Sequence, residues 1–383
     1  MSRFLFVVPP LSGHVNPTVA VGAELIARGH DVAWAGHLGT LRPLLPPGAR
    51  VFPVILDPLE ACLKDSGMGL NGFAALRFLW EDFIMPLGRE MLPGVQGAIA
   101  CMRPDVVIAD QQALAGAVAA RRAGVPWVTS ATTPAELLRP LAGMPRVEEW
   151  VTGQMTAFQL GAGLRDPVDL RFSDRLVLVF TTSALIGDTS GLPGKFIFTG
   201  PALAGRLDHG SFPWDWLDPA RRHLLVSLGT ISGPAGTRFF QVAIDALADL
   251  GDELQVVMAA PAREKAPPHI LLAGHVPQLA LLPHMTAVVS HGGHNTVCES
   301  LAHGLPLVVT PIRDDQSIIA RQVADAGAGI RLRFARLNAA QLRAAVRAVL
   351  DDPSYRRGAC RVRDSFTAAG GARAAADHLE KLT

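Results

Sequence analysis

Short apolar runs without period-two alternation recur along the chain at residues 4–8, 32–35, 106–109 and 127–130, and segments with apolar residues at helical spacing lie between them at 17–28 and 114–123. Runs of this length, rich in Val, Ile and Phe, are the pattern of strands buried on both faces of a parallel sheet; the amphipathic segments supply the crossover helices. Gly29 and Gly124 fall where those helices should stop. The alternation predicts a doubly wound α/β domain. A stretch rich in Pro and Gly from 187 to 219 interrupts the rhythm, which then restarts with strand 224–228, helix 238–247, strands 254–259, 270–273 and 287–290, helix 295–303 and strand 307–310. A second α/β domain is therefore expected from about 221, and 383 residues suffice for two separate cores.

Residues 56–97 and 132–163 do not keep the strand–helix beat and hold many large apolar side chains, among them Phe73, Leu76, Phe78, Leu79, Trp80, Phe83, Met85, Trp150, Met155 and Phe158. Two readings stand for them: an ordinary helical core, or the wall of a pocket for a flat, greasy ligand. The formal net charge is +1, with no block of five like charges, which gives no electrostatic footprint for nucleic acid or an anionic membrane. Cys62, Cys101, Cys298 and Cys360 are scattered, with no C-x-x-C, which favours a reducing compartment and no zinc site. The first apolar run is too short for a signal-peptide core, and no eighteen-residue apolar run follows, so a cytoplasmic chain without a spanning helix is expected.

Candidate chemistry concentrates between His275 and Gln316. The glycine turn His291-Gly292-Gly293 joins a buried strand to a helix, and the free amide groups and positive dipole end of that helix make an anion its natural occupant. Asn295 and Thr296 add side-chain donors, and His291 is placed to give a charge-assisted bond to a phosphate oxygen. Glu299 lies one turn, about 5.4 Å, beyond Asn295 on the same face, which suits a carboxylate reaching the hydroxyls of a ribose. At the other end of the chain, Ser12-Gly13-His14-Val15-Asn16-Pro17 reads as the turn after the first strand, with Pro17 in the first turn of the next helix. A histidine at that sheet edge, held by a carboxylate on its other nitrogen, is a good general base. Asp110, at the end of the run 105–110, is the candidate carboxylate; capping of the following helix is its other reading.

These motifs together resemble family 1 nucleotide-sugar glycosyltransferases, the GT-B enzymes that decorate macrolides and other natural products. The resemblance covers most of the chain, strongly from 224 onward and at 12–17. It implies two Rossmann-like domains facing across a cleft: an acceptor-binding domain at 1–200, a linker at 201–220, a nucleotide-sugar domain at 221–366, and a final helix within 367–383 crossing back to the first domain. His14 and Asp110 match the catalytic dyad. Gly229 and Thr230 match the loop that approaches the donor phosphates. His275, Val276 and Gln278 fall at the base and ribose positions, and His291, Gly293, Asn295, Thr296 and Glu299 match the diphosphate and ribose signature. Asp315 and Gln316 match the pair that reads the sugar hydroxyls. His275 stands where plant members carry tryptophan, which leaves uridine and thymidine donors both open. The resemblance implies an inverting transfer from a UDP- or dTDP-linked hexose to a hydroxyl of a hydrophobic natural product, with no cofactor or metal, by a monomer or homodimer. A nucleotide-sugar 2-epimerase and a non-catalytic relative that activates a partner protein are the alternatives.

Overall fold

The computed structural model describes residues 1–56, 72–134, 137, 141, 143–206, 210–229, 234–260, 265–313 and 315–383. They form two compact units. The first comprises Met1–Thr181, Ser190–Leu207 and Ala369–Thr383, and the second Thr182–Thr189 and Asp208–Ala368.

In the first unit, strands β1 (Arg3–Val7), β2 (Asp31–Gly36), β3 (Arg50–Pro53), β4 (Val106–Asp110), β5 (Trp127–Ala131), β6 (Val177–Val179) and β7 (Phe196–Phe198) form one sheet in the order β3-β2-β1-β4-β5-β6-β7. All neighbours are parallel. The longer helices are α1 (Ser12–Ala27), α2 (Met85–Met102), α3 (Leu114–Ala123) and α4 (Pro145–Gly161). Side chains alternate across the sheet as the pleat requires. Phe4, Phe6, Trp34, Val106 and Ile108 meet Val15, Val19 and Leu25 of α1 on one face. Leu5, Val7, Ala35, Val107 and Ala109 meet Leu87, Met91 and Val95 of α2 and Leu114 and Val118 of α3 on the other. Both faces are covered, which is why the strands read as unbroken apolar runs.

In the second unit, β8 (Arg222–Ser227), β9 (Leu254–Ala259), β10 (Ile270–Ala273), β11 (Ala287–Ser290), β12 (Leu307–Val309) and β13 (Gly329–Arg331) form a parallel sheet in the order β10-β9-β8-β11-β12-β13. Its helices are α5 (Pro234–Leu247), α6 (His294–Ala302), α7 (Gln316–Asp325), α8 (Ala339–Asp351) and α9 (Pro353–Ala369). Phe239, Ala243 and Leu247 of α5 and Leu342, Val346 and Val349 of α8 cover one face of that sheet. The last helix, α10 (Gly371–Glu380), belongs to the first unit, where Ala375, Ala376 and Leu379 join the core beside α1. Arg28 ties the two helices at their rim, 2.7 Å from both Asp377 and Glu380 and 2.8 Å from Glu24.

Two expectations change. The segment 12–16 is not a turn, because α1 starts at Ser12, and Leu11 supplies the carbonyl that accepts the His14 and Val15 amides at 2.9 and 3.2 Å. Pro17 therefore lies inside the helix rather than in its first turn, tolerated because its missing N–H costs one bond near an end where bonds are already missing. The off-beat regions are helical from Phe73 and from Pro145 onward, and Trp80, Phe83, Met85, Met155 and Phe158 are buried in the core, as the plainer reading held. Phe73 differs: it is exposed and lies 5.7 Å from the ring of half-buried Trp150. Residues 57–71, within the first of those regions, lie outside the described residues.

Helix α1 sits on the sheet through Gly22, where an added Cβ would come within 2.6 Å of Trp34 Cη2. The indole has nowhere to go, since it stacks on Phe6 at 5.5 Å and donates from Nε1 to Thr18 Oγ1 at 2.9 Å. Alanine would gain about 1 kcal/mol in helix propensity. Overpacking typically costs about 1–3 kcal/mol and here has no soft neighbour to absorb it. Gly22→Ala is therefore expected to lower the melting temperature; a rise would show that propensity outweighs the contact.

Candidate active site

The first cluster is built by three adjacent strands of the first sheet. Val7 pairs with Ala109 and Asp110 with Ser130, so β1, β4 and β5 end side by side. The third residue of α1, His14, the last residue of β4, Asp110, and the residue just after β5, Thr132, are thereby brought together. His14 Nδ1 lies 2.9 and 3.0 Å from the two carboxylate oxygens of Asp110 and 2.7 Å from Thr132 Oγ1. Thr132 Oγ1 donates to Asp110 Oδ2 at 2.8 Å, and the Gln112 amide donates to Oδ1 at 2.8 Å. The Asp110 side chain is fully buried, whereas that of His14 is 14% exposed.

A lone pair on Nδ1 would face two carboxylate oxygens, so the neutral ring carries its proton there and leaves Nε2 as the basic nitrogen. Asp110 does not cap α3: the residue preceding that helix is Ala113, with no side-chain cap. Its carboxylate turns back on the Gln112 amide and the imidazole instead.

The second cluster lies where β8 and β11 run side by side, with Ser227 paired to Ser290. Both serines close the same kind of turn: Ser227 Oγ accepts the Gly229 amide at 3.2 Å, and Ser290 Oγ accepts the Gly292 amide at 3.1 Å. Gly229 and Gly292 have φ of 65° and 91°, a region that disfavours side chains. The His291 ring is held between the two loops. A Cβ at Gly229 would stand 2.8 Å from its Cε1, and one at Gly293 2.6 Å from its Nε2.

Helix α6 starts at His294 with Gly293 preceding it and no side-chain cap, so its first amides lack intrahelical acceptors. Asn295 and Thr296 stand in that first turn. Gln278 donates from its amide to the buried carboxylate of Glu299 and, at 3.4 Å, to Thr296 Oγ1, which ties the 278 position to α6. At the start of α7, Gln316 Oε1 accepts the Ile312 and Arg313 amides at 2.9 and 3.1 Å, so its NH2 is the end left to meet a ligand. Asp315 immediately precedes α7. Gln316 also comes close to the glycine turn, for a Cβ at Gly292 would lie 3.3 Å from its carbonyl oxygen. Val276 is buried, while His275 is exposed, near Gly210. Thr230 lies outside the described residues.

Burial, the largest cause, pushes the His291 imidazole down to about 4; the positive charge of Arg313 acts in the same direction and the Ser227 backbone opposes both. Its Nδ1 is buried without a hydrogen-bond partner. The charge-assisted bond expected of His291 is thus not ready-made: at neutral pH the ring of the free protein is neutral.

The relatives agree with this architecture. Residues 241–382 match the erythromycin biosynthesis protein CIII-like C-terminal domain. The chain is 28% identical to 4'-demethylrebeccamycin synthase of Lentzea aerocolonigenes, covering 100% of this chain and 99% of that protein. It is also 28% identical to the demethyllactenocin mycarosyltransferase of Streptomyces fradiae, over 100% of this chain and 87% of that one. The solved glycotransferase of kitacinnamycin superposes with a TM-score of 0.80 at 26% identity, covering 100% of this chain and 99% of that one. The fold is the GT-B fold of nucleotide-sugar glycosyltransferases, and the relatives that this chain matches along its whole length are named as natural-product glycosyltransferases. This chain is a glycosyltransferase similar to those of natural-product biosynthesis.

Sequence reasoning about this glycosyltransferase missed Thr132, Ser227 and Ser290. Their signal was positional, a hydroxyl at or just past the end of a buried strand. Among the described residues no three His, Cys, Asp or Glu side chains cluster as metal ligands, and no helix is long and apolar enough to cross a membrane.

Because the His291 ring binds its proton more weakly folded than unfolded, the unfolded chain holds the extra proton between about pH 6.5 and 4. Its contribution to stability is complete above pH 6.5 and is lost as the pH falls towards 4, by up to about 3 kcal/mol. Urea unfolding of His291→Asn is expected to weaken less than that of the native chain between pH 7 and 5. Equal losses would show that the ring is not kept neutral by its surroundings.

Proposed function

We propose that this glycosyltransferase inverts the anomeric centre, using His14 as the base that deprotonates the acceptor hydroxyl. The reading rests above all on Asp110 accepting from His14 Nδ1, which makes Nε2 the basic nitrogen of the neutral ring. As the hydroxyl oxygen attacks the anomeric carbon, its proton passes to Nε2, and the buried carboxylate stabilises the imidazolium that forms. The bond from that carbon to the diphosphate oxygen breaks, and an α-linked donor gives a β-linked product.

The donor is a uridine or thymidine diphosphate hexose. Its diphosphate lies at the start of α6, against Gly229, Gly293, Asn295, Thr296 and His291, whose hydrogen-bond donors meet the charge on the leaving group without a metal. Glu299, steered by Gln278, takes the ribose hydroxyls; His275 and Val276 flank the base. Asp315 and the NH2 of Gln316 take the sugar hydroxyls. The exposed Phe73 beside Trp150 supports a flat, apolar acceptor.

His14→Ala should cut turnover by about 10²–10⁴-fold while UDP or dTDP binds as before. Glu299→Ala should do the reverse, raising the donor dissociation constant first. Steady-state kinetics with calorimetric binding separates the two, and equal loss of turnover and nucleotide affinity in His14→Ala would overturn the division of roles. Activity should also survive exhaustive chelation, with a metal-dependent rate as the contrary result.

A further inference from the structure

We propose that Thr132 is a positioning residue for the base, a third member of the His14–Asp110 pair; this rests on the proposed role of His14. The hydroxyl stands 2.7 Å from His14 Nδ1 and 2.8 Å from Asp110 Oδ2 and is itself buried. Nδ1 already carries a proton, so the hydroxyl cannot donate to it and its proton goes to Oδ2. The Gln112 amide donates to the other oxygen, Oδ1. Each carboxylate oxygen is thus held by one fixed donor of the protein, and the Nδ1–H points between them.

That arrangement matters because a carboxylate held at one oxygen can swing about its Cβ–Cγ bond. Swinging would carry the imidazole with it and turn Nε2 away from the acceptor proton. The strand register shows why Thr132 is available: Asp110 pairs with Ser130 on β5, so the chain leaves β5 beside the carboxylate.

Two substitutions separate the hydroxyl from the shape. Thr132→Val keeps the volume and removes the donor; Thr132→Ser keeps the donor and removes the methyl. With a nucleoside-diphosphate sugar and a phenolic acceptor, Thr132→Val is expected to lose at least about tenfold in kcat, with little change in KM or in nucleotide affinity, while Thr132→Ser keeps most of the rate. The reverse order, Val active and Ser impaired, would make Thr132 a packing residue and overturn the proposal. A rise in KM at unchanged kcat would make it a substrate contact and overturn it equally. His14→Ala run beside them distinguishes the two failures: if His14→Ala still transfers, the base assignment itself falls, whereas if it is dead and Thr132→Val turns over normally, only the role of Thr132 falls.

Discussion

A parallel sheet sends every strand out at the same edge, and the helices that return the chain must lie on one face or the other. Where the winding direction reverses, two neighbouring strands send their following segments to opposite faces, and a crevice opens between them. In this protein that reversal falls between β1 and β4 in the first sheet and between β8 and β11 in the second. Most candidate groups of the two clusters follow one of those four strands or a strand next to them, and Gln278, which follows β10, is the exception. His14 follows β1 and Asp110 ends β4; the Gly229 loop follows β8 and the His291 loop follows β11. The sites are consequences of the topology before they are consequences of side-chain chemistry.

The two crevices handle charge in opposite ways. In the first, a carboxylate is buried completely, which is costly unless its oxygens are met by donors. The Gln112 amide, the Thr132 hydroxyl and the His14 ring supply them, and the same bonds that offset the cost fix the orientation of the base. In the second, the ring at the glycine turns stays neutral, and the positive end of the α6 dipole stands beside it. A site of that kind waits for an anion, because amide donors cost little to hold ready and gain most when a charge arrives.

Much of this was legible in the sequence, for a physical reason. Strands covered on both faces must be apolar throughout, so β1, β4, β8, β9 and β11 announced themselves, and the spacing from His291 to Glu299 fixed which side chains share one turn of helix. Other features depend on tertiary contacts. Helix α2 runs through Pro93 and three glycines, which argue against a helix locally; it forms because Gly88 lets Phe158, and Gly94 lets Val54, pack against it. The start of α1 is hidden because a proline favours a first turn, whereas Pro17 lies inside the helix. Thr132 was invisible because its partners are 22 and 118 residues away in sequence. The short strands Arg50–Pro53 and Phe196–Phe198, at the edges of the sheet, carry too few residues to show a pattern.

The proposed transfer depends most on the second crevice holding a diphosphate. A crystal structure of the protein with UDP or dTDP tests this directly. Diphosphate oxygens are expected within about 3.2 Å of backbone amides in the first turn of α6 and of the His291 ring. A nucleotide bound with its diphosphate away from the β8 and β11 loops would contradict it.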